Sequence, residues 1–376
     1  MSNSKRLRVG VIGCGGIAQM MHLPYLQSLP DLFEIAALSD LSPGVLQAIG
    51  EKYGIPEDCR FTDYKNLLAL DIEAALVLTG GNHHPQVLAA VRGGKHVFAE
   101  KPLCYTAREA DEIIHAATQT KSKVMVGYMK RYDPGYLYAQ QKIRELQDIR
   151  YVQLNTLHPA EDDFVSIHDI LHFDDVPAEA LRPIREAEDR QVIEAVGEVS
   201  PTLRALYADL FLGSLVHDCN ALRGLLGEPE EVLFAELWPA GQREASITTV
   251  LKYSGNVRAV YTWTYLPELR DYSQEIAVMS PANRLRIQFP SPYLKNFPAP
   301  VVLQGMENGA AFEKRVQVSY AEAFREELIA FHHCIVNDTP PLTDASDARA
   351  DIVLLQKIFA ALKPAGLGGE AAQYNP

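Results

Sequence analysis

Hydrophobic positions in the first third of the chain come in short runs, at residues 7–12, 33–38, 74–79, 96–99 and 124–127. Amphipathic stretches with helical spacing separate them, at 18–29, 43–53, 85–92 and 107–120. Short runs alternating with helices predict a parallel, doubly wound α/β sheet. Right-handed crossovers then bring the carboxyl ends of its strands to one edge, where such sheets bind ligands.

The pattern changes after Gly127. A helical stretch at 134–147 leads into a strand at 151–157, followed by a polar, acidic, poorly periodic stretch at 158–201. Longer β-like runs then succeed one another at 231–238, 246–253, 257–265, 274–279 and 284–289. Strands without intervening helices predict a large, mostly antiparallel sheet, with Tyr253-Ser254-Gly255-Asn256-Val257 as one of its hairpin turns. Residues 290–300 are proline-rich and read as irregular, helices are expected at 321–337 and 345–362, and the Gly- and Ala-rich tail after Pro364 reads as mobile. Two domains follow: a Rossmann domain at 1–130 and a C-terminal α/β domain at 131–376, with the last helix, about 345–362, available to pack back on the first.

Composition narrows the function classes. The 35 Lys and Arg against 48 Asp and Glu leave a formal net charge of −13, which excludes a nucleic-acid binder and disfavours anionic membranes. A basic pocket for an anionic substrate stays compatible with that balance. The five cysteines, Cys14, Cys59, Cys104, Cys219 and Cys334, form no C-x-x-C pair, a reduced, cytoplasmic pattern without a zinc ribbon. The polar, basic residues 1–8 leave no room for a signal peptide, and no apolar run reaches the length of a membrane span.

The chemistry begins at the first turn, where the first strand ends in Gly13-Cys14-Gly15-Gly16-Ile17-Ala18. This is G-x-G-x-x-A: Gly13 for the sharp turn, Gly15 for close approach of backbone to a pyrophosphate, Ala18 for tight helix packing. The backbone at Gly16 and Ile17 opens a helix whose positive end faces the phosphates. The second strand ends in Asp40, at the spacing expected of an acid that binds a ribose. Glu100-Lys101-Pro102 follows another strand at the same edge, where Lys101 could exchange a proton with a substrate hydroxyl or be no more than a solvated partner of Glu100.

The succession of that glycine turn, Thr79…Asn82-His83-His84 and Gly93-Gly94-Lys95-His96-Val97-Phe98-Ala99-Glu100-Lys101-Pro102 resembles the Gfo/Idh/MocA oxidoreductases, which include inositol 2-dehydrogenase and many sugar dehydrogenases. The fit runs from residue 6 to about 132 and resumes at 220–229 and 344–349; only residues 158–205 look foreign. The resemblance implies a nicotinamide cofactor held by Gly13, Gly15, Gly16, Ile17, Ala18, Asp40, Thr79, Asn82, His84, Glu100 and Lys101. Asp40 followed by Leu41-Ser42, with no arginine, favours NAD over NADP. His84 reads equally as a helix-end residue, and Arg131 as a substrate contact or the partner of an acid. Lys101 is the expected catalytic residue, and a homo-oligomer, dimer or tetramer, is the family habit.

The family motif D-x-x-x-H reads here as Gly213-Ser214-Leu215-Val216-His217, with Asn220 in place of a further acid. His217 is kept and expected at the catalytic site, but the acidic clamp is gone, and neither Asp209 nor Asp218 is an obvious replacement. The foreign stretch contributes His158, His168 and His172, expected to touch a carbohydrate substrate together with Lys101, Arg131 and His217; no metal is expected. Tyr132, Tyr136, Trp263 and Tyr265 offer sugar-binding surfaces or core. The implied reaction is NAD-dependent hydride exchange with a secondary alcohol of a sugar, glycoside or cyclitol. The alternative is a redox-neutral NAD-dependent glycoside hydrolase, its acid–base groups drawn from the histidine-rich stretch. A non-catalytic NAD sensor is the third class.

Overall fold

The computed structural model describes residues 5–239, 242 and 244–362; the glycine-rich tail lies outside them. The first sheet comprises β1 (Leu7–Ile12), β2 (Phe33–Ser39), β3 (Arg60–Phe61), β4 (Ala74–Val77), β5 (His96–Ala99) and β6 (Val124–Val126). They are all parallel and ordered β3-β2-β1-β4-β5-β6, so the order reverses between β1 and β4. Its crossovers contain α1 (Leu23–Ser28), α2 (Pro43–Tyr53), α3 (Tyr64–Leu68), α4 (His84–Arg92) and α5 (Ala107–Thr120). Each boundary has a local cause. Ser42 caps α2, which ends on Gly54 in the left-handed region, and Thr106 and Glu109 form a reciprocal capping box on α5. The helix expected from Ala18 starts differently, as a wide π-helical turn, Ala18–His22.

The second sheet has eight strands: β7 (Tyr151–His158), β8 (Glu231–Trp238), β9 (Ser246–Lys252), β10 (Arg258–Tyr265), β11 (Ser273–Met279), β12 (Arg284–Phe289), β13 (Val301–Glu307) and β14 (Ala310–Val316). Their order is β14-β13-β12-β11-β7-β10-β9-β8, antiparallel except where β7 runs parallel to β10. The predicted turn after Tyr253 is present, with Gly255 and Asn256 at positive φ and the Tyr253 N–H donating to the Val257 carbonyl. Two strands were not expected: β13 and β14 form a hairpin across Asn308 and Gly309, both at positive φ. Asn-Gly between extended runs suits that turn.

Helices α6 (Pro134–Glu145), α7 (Asp162–Val165), α8 (Ala178–Val196), α9 (Pro201–Leu206), α10 (Val216–Leu226), α11 (Ala323–Val336) and α12 (Ala345–Ala360) complete the chain. The nineteen-residue α8 lies within the polar, poorly periodic stretch 158–201; it carries Pro183 within it and buries only Val192 and Ala195. Between α9 and α10 the helix widens into a π-helical segment, Tyr207–Leu215, that contains Gly213. Among the described residues no helix is long and apolar enough to cross a membrane.

The chain forms two compact units that are not consecutive blocks. The first comprises 1–129, 168–195 and 324–353; the second comprises 130–167, 196–323 and 354–376. In the first, Phe331 of α11 packs edge-on against Phe98 of β5, and the Thr343 carbonyl and hydroxyl bond the backbone of Val126, which covers the β6 edge. Arg349 of α12 forms a two-point ion pair with Asp111 of α5. Segment 168–195 is tied on by Arg108, whose Nε and Nη2 donate to the Glu194 carboxylate at 2.7 and 3.0 Å.

In the second unit α6 packs on β12 and β13, where Gly135 lies so close to the Ala299 carbonyl that a side chain would not fit. Asp133 caps α6, accepting from the Gly135 and Tyr136 N–H groups at 2.7 and 3.2 Å. Burial pushes its carboxyl up to about 6, against 3.8 when unperturbed. The folded state therefore holds this proton more tightly than the unfolded chain. The resulting stabilisation, about 3 kcal/mol, is full below pH 3.8 and is lost as pH rises through about 6. Urea unfolding at pH 3.5–7 is expected to show that component in the wild type and its removal in Asp133→Asn; identical pH profiles would exclude it.

Candidate active site

The first unit assembles its site at the carboxyl ends of β1, β2, β4 and β5. Gly13 follows β1 with φ +91°, and a Cβ there would stand 2.6 Å from the Thr79 nitrogen after β4. Only glycine meets both conditions. The Gly13 N–H donates to the Ser39 carbonyl at 2.7 Å, which ties the turn to β2. The Cys14 N–H donates to Asp40 Oδ2 at 2.7 Å and the Ser42 N–H to Oδ1 at 2.9 Å. Each oxygen keeps a further lone pair for a ribose hydroxyl. Burial pushes the Cys14 thiol far above the ordinary range, so it is inert. Gly15 is exposed, with nothing within 4 Å of where its Cβ would be. Ala18 is fully buried, while Gly16 and Ile17 are half-buried. Open backbone at the glycine turn beside a positioned carboxylate is the donor set that a dinucleotide requires.

The loop after β4 is held from behind. His83, fully buried, sets its two ring nitrogens 2.6 Å from the Thr79 and Pro102 carbonyl oxygens, and burial lowers its pKa against both bonds. It therefore links the turn that carries Lys101 to the loop facing Gly13. His84 turns toward α5, 3.2 Å from Glu112 and 3.8 Å from Glu109, where it serves the helix packing. The Asn82 side chain donates to Glu109 and to Gln191. What singles out His83 is its burial, which no spacing shows.

Lys101 is half-buried after β5, and its N–H donates to Glu100 Oε2 at 3.1 Å. Glu100 Oε1 lies 2.7 Å from Nε2 of His22, which is fully buried. Burial alone would raise the Glu100 carboxyl; the His22 hydrogen bond and the positive charges of His22 and Lys101 outweigh it and hold it below the usual carboxylate range. Glu100 is thus a buried anion behind Lys101, with both oxygens committed. Glu327 of α11 is buried nearby and behaves oppositely. Neither of its oxygens has a partner among the described residues, and burial, with the Glu100 charge, drives its pKa well up.

The second unit holds the remaining candidates. His217 is half-buried in the first turn of α10. Asp218, next to it, is fully committed to the sheet: Thr156 and Tyr261 donate to Oδ2 at 3.2 and 2.8 Å, Gln274 donates to Oδ1, and Lys130 Nζ lies 3.9 Å away. Burial raises its pKa, and the Lys130 charge offsets part of that. Arg131, only 5 % exposed, donates to the Asn220 side-chain and main-chain oxygens at 3.2 and 3.3 Å. Gly224 makes room for Arg131 and for Tyr136, whose hydroxyl donates to the Ala221 carbonyl. Lys130 and Arg131 thus lie in the interior, where they brace α10.

The histidines of the foreign stretch divide. His158 stacks on Trp263 at 5.1 Å and meets Tyr272 edge-on at 5.6 Å, with Glu161 3.4 Å from its Nε2. Trp263 in turn stacks on Tyr265 and donates to Ser214. His168 and His172 lie on irregular backbone in the first unit, so their spacing by four does not place them on one helical face. His172 is exposed and pairs with Asp174. Among the described residues no group of three or more His, Cys, Asp or Glu could hold a metal.

The family profile described as "Oxidoreductase family, NAD-binding Rossmann fold" matches residues 7–128. Residues 7–128 thus match the Gfo/Idh/MocA oxidoreductase family. Over 141 residues the chain is 35% identical to the inositol 2-dehydrogenase/D-chiro-inositol 3-dehydrogenase of Shouchella clausii, a match covering 37% of this chain and 40% of that protein. It is 36% identical over 132 residues to the inositol 2-dehydrogenase of Burkholderia cenocepacia, covering 35% and 39%. The matched region thus spans about two fifths of these curated relatives. The aldose-aldose oxidoreductase of Caulobacter crescentus, solved with glycerol, superposes with TM-score 0.71 at 20% identity over 95% of this chain and 97% of that one. The 3-ketoreductase KijD10 of Actinomadura kijaniata, solved with NADP and TDP-benzene, gives 0.70 at 20% identity over 96% and 98%. The Gfo/Idh/MocA signature is thus carried by the sequence of the first unit, while the whole-chain likeness is one of fold.

Asp218→Ala would remove a buried carboxylate that lies 3.9 Å from the Lys130 ammonium. The loss expected is about 3 kcal/mol in denaturant unfolding, partly relieved in a Lys130→Met/Asp218→Ala double variant; a loss below about 1 kcal/mol would show the pair to be dispensable.

Proposed function

We propose that the protein is a nicotinamide-dependent dehydrogenase that moves a hydride between the cofactor and a secondary alcohol carbon of a sugar or cyclitol, with NAD as the physiological cofactor. The observation that carries this reading is the convergence of Gly13, Gly15, Asp40 and Lys101 on one sheet edge, on either side of the β1/β4 reversal. The matched inositol dehydrogenases and the sugar oxidoreductase of the same fold support the substrate class.

Bound nicotinamide supplies the hydride acceptor or donor. The backbone around Gly15 would hold the pyrophosphate, and Asp40 would accept hydrogen bonds from the adenosine ribose. A negative charge at Asp40 repels a 2′-phosphate, and Asp175, 2.7 Å from the Gly44 nitrogen, adds a second carboxylate to the same loop. Lys101 hydrogen-bonds the reacting hydroxyl, takes its proton as the alcohol becomes a carbonyl, and returns it in the reverse direction. The buried Glu100 anion favours the protonated amine and shares the cost of the incoming proton. His217 and His158 are the second unit's candidates for meeting substrate hydroxyls. A homo-oligomer completes the reading, and sedimentation velocity measures it.

Purified protein with NAD and a panel of cyclitols and aldoses is expected to form NADH, followed at 340 nm, with no aglycone released from aryl glycosides. Lys101→Met is expected to lower kcat about 10²–10⁴-fold with cofactor affinity unchanged. Asp40→Ala is expected to weaken NAD binding about tenfold or more and to narrow the preference over NADP. Aglycone release without NADH, or full activity in Lys101→Met, would overturn the assignment.

A further inference from the structure

Segment 168–195 of the first unit lies outside the residues that the family profile matches, yet it lies along the cofactor edge. It touches that edge at four successive places. Ile170 Cδ1 is 3.8 Å from where a Cβ on Gly16 would stand. Leu171 exchanges two hydrogen bonds with the Gln19 side chain, at 2.8 and 3.0 Å, and the same side chain donates to the Cys14 carbonyl. The Phe173 ring and the Asp175 carboxylate lie 2.7 and 2.9 Å from a Cβ position on Gly44, and Asp175 accepts the Gly44 N–H. Glu188 fills the space over Gly81 and accepts the Asn82 N–H at 2.9 Å, one turn before Gln191 accepts from the Asn82 amide.

Between these contacts the edge stays open. Nothing lies within 4 Å of the Cβ positions of Gly15 and Gly80. A segment that merely filled the cleft would cover Gly15 as it does Gly16 and Gly81. Instead it bridges from the glycine turn, past the loop that carries Asp40, to the loop after β4, and leaves the pyrophosphate position clear. Two apolar side chains at the Asp40 end remain unsatisfied: Phe173 is 40 % exposed and Leu41 is 45 % exposed. Flat, apolar and flanking the ribose acid, they offer the surface that a purine would cover.

We propose that segment 168–195 is the outer wall of the dinucleotide site: it straps the cofactor against the sheet edge, stacks Phe173 on the adenine, and makes release wait on its own detachment. The proposal rests on the dinucleotide reading of the preceding subsection and adds residues to it that no glycine motif contains. A strap fixed at several points must break several contacts to open, so cofactor exchange becomes slow relative to binding through an open edge.

The test is the release rate of NADH from the full chain, followed by its fluorescence on displacement with excess NAD. Phe173→Ala combined with Asp175→Asn and Glu188→Gln is expected to release NADH at least about tenfold faster than wild type. Amide hydrogen exchange on the wild type gives the second measurement, with slower exchange across 168–195 and at Gly44 expected when NAD is added. NADH binding with unaltered release in the triple variant, or exchange in 168–195 indifferent to NAD, would overturn the strap and leave the dinucleotide reading standing. No NADH binding to the wild type would overturn the dinucleotide reading and the strap with it.

Discussion

Everything in the first unit depends on how closely β1 and β4 approach where the strand order reverses. At that point the chain leaving β1 must turn within touching distance of Thr79, and the turn succeeds because Gly13 has no side chain and accepts φ +91°. The closeness has two effects. It opens a crevice at the sheet edge, and it aligns the three loops that border it. Asp40 is drawn in by the Cys14 N–H, and the Lys101 turn is drawn in by His83, which bonds across to Thr79. The site is therefore a property of strand order rather than of any one loop.

Buried charge then sorts the acids by role. Glu100 and Glu327 are both enclosed, but Glu100 meets His22 and is held below the usual carboxylate range, whereas Glu327, with neither oxygen hydrogen-bonded among the described residues, is pushed well above it. His217 and Asp218 are sequence neighbours, but the helix turns one into the sheet and leaves the other half-exposed. A carboxylate bonded to Thr156, Tyr261 and Gln274 is a brace for α10 and is not available as a substitute clamp. The loss of acid at Gly213 and Asn220 accordingly has a structural counterpart: Asn220 accepts from Arg131, a role its neutral amide fills without adding a charge to the interior.

The Rossmann half was legible because its signals are local. Period, turn glycine and capping residue all sit within a few positions of the element they specify, and the site residues at the sheet edge follow from the order of the strands. The failures share a different cause. Helix α8 is charged around most of its surface, and its partners lie far away in sequence at Gly81, Asn82 and Arg108. The β13–β14 hairpin follows a proline-rich stretch that masked its Asn308-Gly309 turn. His83, His22 and the inward turn of Arg131 are facts of burial, and burial depends on what the rest of the chain brings against a residue.

The two units share the polypeptide unusually. It passes from one to the other at residues 129/130, 167/168, 195/196, 323/324 and 353/354, which makes five crossings. Neither unit can be cut out as a single stretch of gene. A fragment ending near residue 130 would carry the glycine turn and the lysine but would lack α11, whose Phe331 packs on β5, and the cover over the β6 edge. Each crossing but the last leaves a unit before all of its segments have been made, so neither unit is complete until the chain has returned to it from the other.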